Sequence, residues 1–236
     1  ITELAPTIRG QGLPMPVLYH LPLSPFCRKV RVALGEKGLP IDLKEERAWE
    51  RNRRFLSLNP AGKVPVLEME SGDVIAESQA IVEFIEEMAP EPPLLGATAI
   101  DRAETRRLIG WFDDKFCQEV TMPLYGEKVL KRQAGVGAPD SGALRAGRQN
   151  LSQHLEYIAW LCDRRTWLAG DHFSLADIAA GAHLSVIDFL GDVPWDRFDG
   201  AKLWYQRIKS RPSFRPLLAD RVTGFQPPAH YANLDF

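Results

Sequence analysis

Cysteine is scarce in this sequence. Cys27, Cys117 and Cys162 are the only three among 236 residues, too few and too scattered for a disulfide scaffold. The five histidines are scattered too, and no cysteine–histidine set has zinc-ligand spacing, so no metal is expected. A basic excess is also missing. Lys and Arg total 29 against 31 Asp and Glu, a net charge of −2, which excludes the strongly basic balance of a dedicated nucleic-acid binder. No apolar stretch reaches the roughly 18–20 residues that span a bilayer, so no membrane insertion is expected. A reducing cytoplasm is the expected setting. What is present, 45% hydrophobic and 25% charged residues, is the composition of a globular chain. The length suits one large domain or two small ones.

Residues 1–14 do not begin with Met and lack the basic-then-apolar layout of a signal peptide. Met15 stands directly before the first strand-like run. Residues 1–14 are therefore expected to be a cloning remnant or an upstream extension outside the fold.

Val17–His20 reads as a short strand, closed by Pro22 and Pro25. Ser24 as N-cap and Pro25 in the first helical position open a helix with Cys27, Val30, Ala33 and Leu34 on one face. Gly38 and Pro40 stop it. Ile41–Glu45 alternates as a second strand on a half-covered sheet, and Trp49–Leu58 reads as a short or irregular helix. Val64–Met69 and Val74–Ala76, joined at Ser71–Gly72–Asp73, form a hairpin. A helix from Ser78 carries Ile81, Phe84, Ile85 and Met88. The order is β-α-β-α-β-β-α over residues 15–88.

Residues 89–100, with Pro90, Pro92, Pro93 and Gly96, read as a linker. Residues 101–215 read as all helical. Asp101 with Glu104 is expected to form a capping box before Leu108, Trp111, Phe112 and Phe116. A break at Gly135–Gly142 precedes a helix with Leu151, Leu155, Ile158 and Leu161. Ser174 and Asp177 form another capping box. Lys202–Ser210 is the last helix, and residues 216–236 read as an extended tail.

Chemistry concentrates in three places. A hydroxyl at Ser24, on a helix N-terminus, can stabilise a thiolate, although Ser24–Pro25 reads equally as a plain cap. If cis, the Val64–Pro65 bond turns the Val64 backbone outward to bind an extended peptide; alone, a trans proline is the commoner case. Glu77 can pair with an α-ammonium while Ser78 and the helix amides hold an α-carboxylate, although this pair alone also reads as an N-cap beside a charge. Cys27 sits on the apolar helix face and reads as core. With Ser24 where a leading cysteine would stand, disulfide exchange lacks its first thiolate.

Together these motifs resemble the glutathione transferase superfamily over residues 15 to about 215. Ser24–Arg28 resembles its active-site turn, Asn59–Leu67 its cis-proline loop, and Glu77–Ser78 its glutathione clamp. Phe173–Ile178 is similar to the capping element of its helical domain. The resemblance implies an α/β thioredoxin-like N-terminal domain followed by an all-α domain. It implies glutathione at Ser24, Val64, Glu77 and Ser78, weakly bound, vestigial or absent. Pro65, Ser174 and Asp177 are then structural, and Ser24 is catalytic only in a transferase.

The segment from Lys209 to Leu218 and the ending from Gly224 to Phe236 resemble a bacterial branch that contains a transferase-like cell-division adaptor. That branch implies a homodimer binding filaments of the tubulin-like polymer FtsZ, at the division site. Tyr231, Leu234, Asp235 and Phe236 are the expected partner contacts. Trp49, an aromatic inside the charged run Glu45–Arg51, joins them. Apolar Leu108, Trp111, Phe112 and Phe116 are expected to help build the dimer. A tail that folds back to seal its own domain remains an equal alternative. The alternative function is a glutathione S-transferase that conjugates or reduces small electrophiles.

Overall fold

The computed structural model describes residues 15–236; the expectation for residues 1–14 lies outside them. Strands β1 (Val17–His20), β2 (Asp42–Glu45), β3 (Val66–Glu68) and β4 (Val74–Ala76) form one sheet in the order β2-β1-β3-β4. β1 and β2 run parallel, so a crossover must join them, and α1 (Pro25–Glu36) supplies it. β3 runs antiparallel to β1, and β4 to β3, through the turn where Gly72 adopts φ +88°. With α2 (Arg53–Leu58) and α3 (Ser78–Met88), the expected β-α-β-α-β-β-α order is complete. Trp49 lies before α2 on a separate 3₁₀ turn, Ala48–Glu50.

α1 buries Cys27, Val30, Ala33 and Leu34, as their spacing predicts. It also buries Arg28 and Lys29 completely. Both cations are compensated by groups far along the chain, as buried charges must be. β2 differs from the expectation of a half-covered strand, because all four of its side chains are exposed, Leu43 included.

The helical part comprises α4 (Ala99–Gly110), a wider helical stretch (Trp111–Leu130) and α5 (Lys131–Ala134). It continues through α6 (Ser141–Cys162), α7 (Leu175–Phe189), α8 (Asp199–Lys209) and α9 (Arg215–Leu218). Every residue of α7 is buried, so this helix is the core around which the others pack. Its capping box is the predicted one. Asp177 accepts from Ser174 N–H and hydroxyl, and also from Leu168 N–H and Trp204 Nε1, all within 3.1 Å. Among the described residues no helix is long and apolar enough to cross a membrane, and no cluster could hold a metal ion.

Four further expectations need correction. The first capping box is Thr98 with Asp101, one turn earlier than expected; Glu104 instead pairs with Arg107 and Arg165. α8 begins at Asp199, before Lys202. Leu108, Phe112 and Phe116 face the chain's own core, with Trp111 half-buried against Tyr157 and His154, so they do not argue for a dimer. The stretch from Pro216 on is not extended. It contains most of α9, a tight Val222–Phe225 bridge and a 3₁₀ turn at Ala229–Ala232 that folds onto α7 and α8.

Candidate functional site

The sheet register gathers the three predicted motifs. Tyr19 faces Val66 and Val66 faces Ala76, so the end of β1, the start of β3 and the end of β4 lie side by side. Ser24, Val64–Pro65 and Glu77–Ser78 leave those three ends on one edge of the sheet.

Ser24 caps α1, its Oγ accepting from Cys27 N–H at 3.4 Å, and it is 7% exposed. Burial pushes the Cys27 thiol up to about 11, the range of an inert core thiol. Asn59 shapes the next loop by donating to Lys63 O at 2.9 Å and accepting from Ala61 N–H at 3.1 Å. The Val64–Pro65 bond that follows is cis. Neither backbone group of Val64 has a backbone partner among the described residues, leaving both free to pair with a peptide. Glu77 is exposed at φ +73°, a region that non-glycine residues rarely occupy and that clusters at functional sites. Its side chain makes no capping bond, and Ser78 is buried at the start of α3. This donor and acceptor set fits the γ-glutamyl and backbone groups of glutathione.

A crevice of about 280 Å³ opens beside the turn, between Leu21–Leu23, Trp49, Tyr125 and the tail segment Arg221–Thr223. Trp49 therefore faces a cleft of its own chain. None of the four predicted glutathione residues lines this crevice. Tyr125 and Arg221–Thr223 carried no local signal in the sequence, because only the fold brings them to β1.

Behind the turn lies a buried polar network. Lys29 pairs with Asp113, and His183 Nε2 is 3.4 Å from the same carboxylate. Phe26 packs edge-on against His183 at 5.3 Å. Burial disfavours an ionised Asp113, but His183 and the Lys29 charge outweigh it and hold its carboxyl below the usual range.

The tail residues divide. Tyr231, expected to touch a partner, is fully buried with its hydroxyl 3.0 Å from Arg28, so it anchors the tail instead. Leu234 and Phe236 are half-buried, and Asp235 is exposed.

Comparison with known proteins agrees with this geometry. Residues 18–93 match the profile of the glutathione S-transferase N-terminal domain, and residues 121–212 that of the C-terminal domain. FtsZ-localized protein A of Caulobacter vibrioides is 55% identical, over 93% of this chain and 97% of the relative. A crystal structure of a glutathione S-transferase from Rhodospirillum rubrum F11 superposes with TM-score 0.92 at 56% identity. It covers 94% of this chain and all of the other. The structure of FzlA from C. crescentus superposes with TM-score 0.91 at 54% identity, again over 94% of this chain and all of the other.

Proposed function

The chain belongs to the glutathione S-transferase family, and from that premise we propose that it is a homodimeric adaptor that binds FtsZ filaments in bacterial cell division. One observation carries this reading: 55% identity to an FtsZ-localized protein across nearly the whole of both chains. Fold alone cannot decide, since one scaffold hosts unrelated functions.

Two linked copies suit such a role, because the second contact gains effective concentration without new surface. Exposed Ile100 at 75% and Trp160 at 48% leave apolar area for a second copy to cover. On a filament, Leu234, Asp235, Phe236 and Trp49 supply contacts. Tyr231 holds the tail in place.

The glutathione S-transferase reading keeps two specific observations in its favour. Glu77 at φ +73° and the free Val64 backbone preserve a peptide-binding edge that an adaptor does not need. In that reading Ser24 hydrogen-bonds the thiolate, and Val64, Glu77 and Ser78 hold the tripeptide. Co-sedimentation with polymerised FtsZ, run beside glutathione calorimetry, separates the two readings. The adaptor reading expects filament binding with no turnover of electrophiles.

A further inference from the structure

We propose that the Lys29 ammonium is a plug that locks the sheet half of the chain onto the helical half in one register, with His183 as the base that takes up a proton when the plug is withdrawn. The lock is independent of the choice between adaptor and transferase.

The helical half builds the socket. Asp113 lies on the wider helical stretch and His183 on α7, and His183 Nε2 is 3.4 Å from Asp113 Oδ1. Thr121 Oγ1 lies 2.9 Å from His183 Nδ1, and by donating there it leaves the ring proton on Nε2, facing the carboxylate. Phe116 and Phe26 pack edge-on against the fully buried ring at 5.8 and 5.3 Å.

Into this socket α1 inserts Lys29, whose side chain is fully buried and pairs with the other carboxylate oxygen, Asp113 Oδ2. Lys29 also reaches Gln79 Oε1 at 3.5 Å, supplied by α3 from the position after Ser78. Gln79 in turn donates to Glu83 Oε1 at 3.0 Å, and Glu83 pairs with Arg106 of α4.

A buried carboxylate needs one compensating cation, and here two groups can supply it. Burial lowers the His183 pKa and the Lys29 charge adds to this, while Asp113 opposes both. With Lys29 in place the imidazole stays neutral. Without it, Asp113 faces His183 alone and the imidazole protonates. The charge of Lys29 is thus replaceable, and what it alone provides is a fixed point on α1. The helix contact needs one. α1 packs on α7, whose central residues Ala179–Ala182 are all small, and a buried polar contact is the device that fixes register on such an apolar face. Register also sets the crevice beside the turn: Leu21–Leu23 and Trp49 come from the sheet half, Tyr125 and Gln133 from the helical half.

The test compares the full wild-type chain with Lys29→Met and with the double variant Lys29→Met/Asp113→Leu; His183→Gln assigns the imidazole signal. In Lys29→Met, nitrogen NMR should show His183 titrating about one pH unit or more above wild type. The double variant replaces the whole pair by apolar groups and should keep or raise the melting temperature. Hydrogen exchange across α1 should nevertheless be about tenfold faster in it, read by mass spectrometry, because the register is loose although the core is intact. Wild-type exchange in the double variant, or a lowered melting temperature, overturns the lock. An unshifted His183 in Lys29→Met overturns the socket. Should Lys29→Met fail to fold, the double variant decides alone.

Discussion

The Arg28 guanidinium donates to the Tyr231 hydroxyl at 3.0 Å, tying the first helix to the tail across 203 positions of sequence. The same side chain donates to Pro22 O at 2.7 Å and to Ser185 Oγ at 2.8 Å, and it shares Asp220 with Arg31. The tail, the turn before Ser24 and the central helix α7 thus meet at one buried cation. Tyr231→Phe removes an acceptor from it and should cost about 1–3 kcal/mol in urea unfolding. Tyr231→Ala also opens a cavity and should cost about 3–5 kcal/mol. Equal stability of wild type and the Phe variant would show that this contact contributes nothing.

Removal of Leu234–Phe236 should lower the melting temperature, because Phe236 fills a site between Trp195, His230 and Lys209. A free arm could be trimmed without thermal effect, and differential scanning calorimetry distinguishes the two.

Ser24→Ala should cost about 1 kcal/mol through loss of the α1 cap, while filament binding persists. Turnover of a small electrophile with glutathione, present in wild type and abolished in this variant, would favour the transferase reading instead.

Cys27 should resist alkylation in the native state. The thiol is fully buried and held near 11, so little thiolate forms at neutral pH. Mass spectrometry after iodoacetamide treatment should find Cys27 modified only once the protein is unfolded. Rapid native labelling would contradict the buried placement.

Acid should destabilise the fold through His20. Burial, reinforced by the Arg31 charge, depresses its folded pKa to about 4, against about 6.5 unfolded. The unfolded chain therefore holds the extra proton between these values. Stability is unaffected by this group above pH 6.5 and is lost as pH falls toward 4, at up to about 1.4 kcal/mol per pH unit. His154 and His183 are depressed by burial as well and act with the same sign. His20→Gln should flatten the slope of unfolding free energy against pH by up to one proton, and an unchanged slope would contradict this account.

Local signals in the sequence identified much of the N-terminal unit. Proline, glycine and capping residues mark each turn, and the Ser24, Pro65 and Glu77 motifs lie where strand ends must converge. Capping residues also marked α7, where Ser174 and Asp177 stand three apart. The extended reading of the tail fails and the fold-back alternative holds, because the tail's structure is set at a distance. Pro227 and Pro228 suggest extension, yet Arg28, Asp188 and Gln206, from three separate helices, fold it back. Burial of Arg28 and Lys29 was hidden for the same reason: their partners Tyr231 and Asp113 lie in the tail and the helical half. Trp49 stood out as an aromatic within a charged run, but its crevice depends on Tyr125 and Arg221.

The most direct test of the adaptor reading is co-sedimentation of the wild-type chain with GTP-polymerised FtsZ at micromolar concentration, with its mass measured by light scattering in the same buffer. A dimeric mass and saturable pelleting that needs both FtsZ and GTP are the predicted result. A monomer that stays in the supernatant while FtsZ polymer pellets would contradict it.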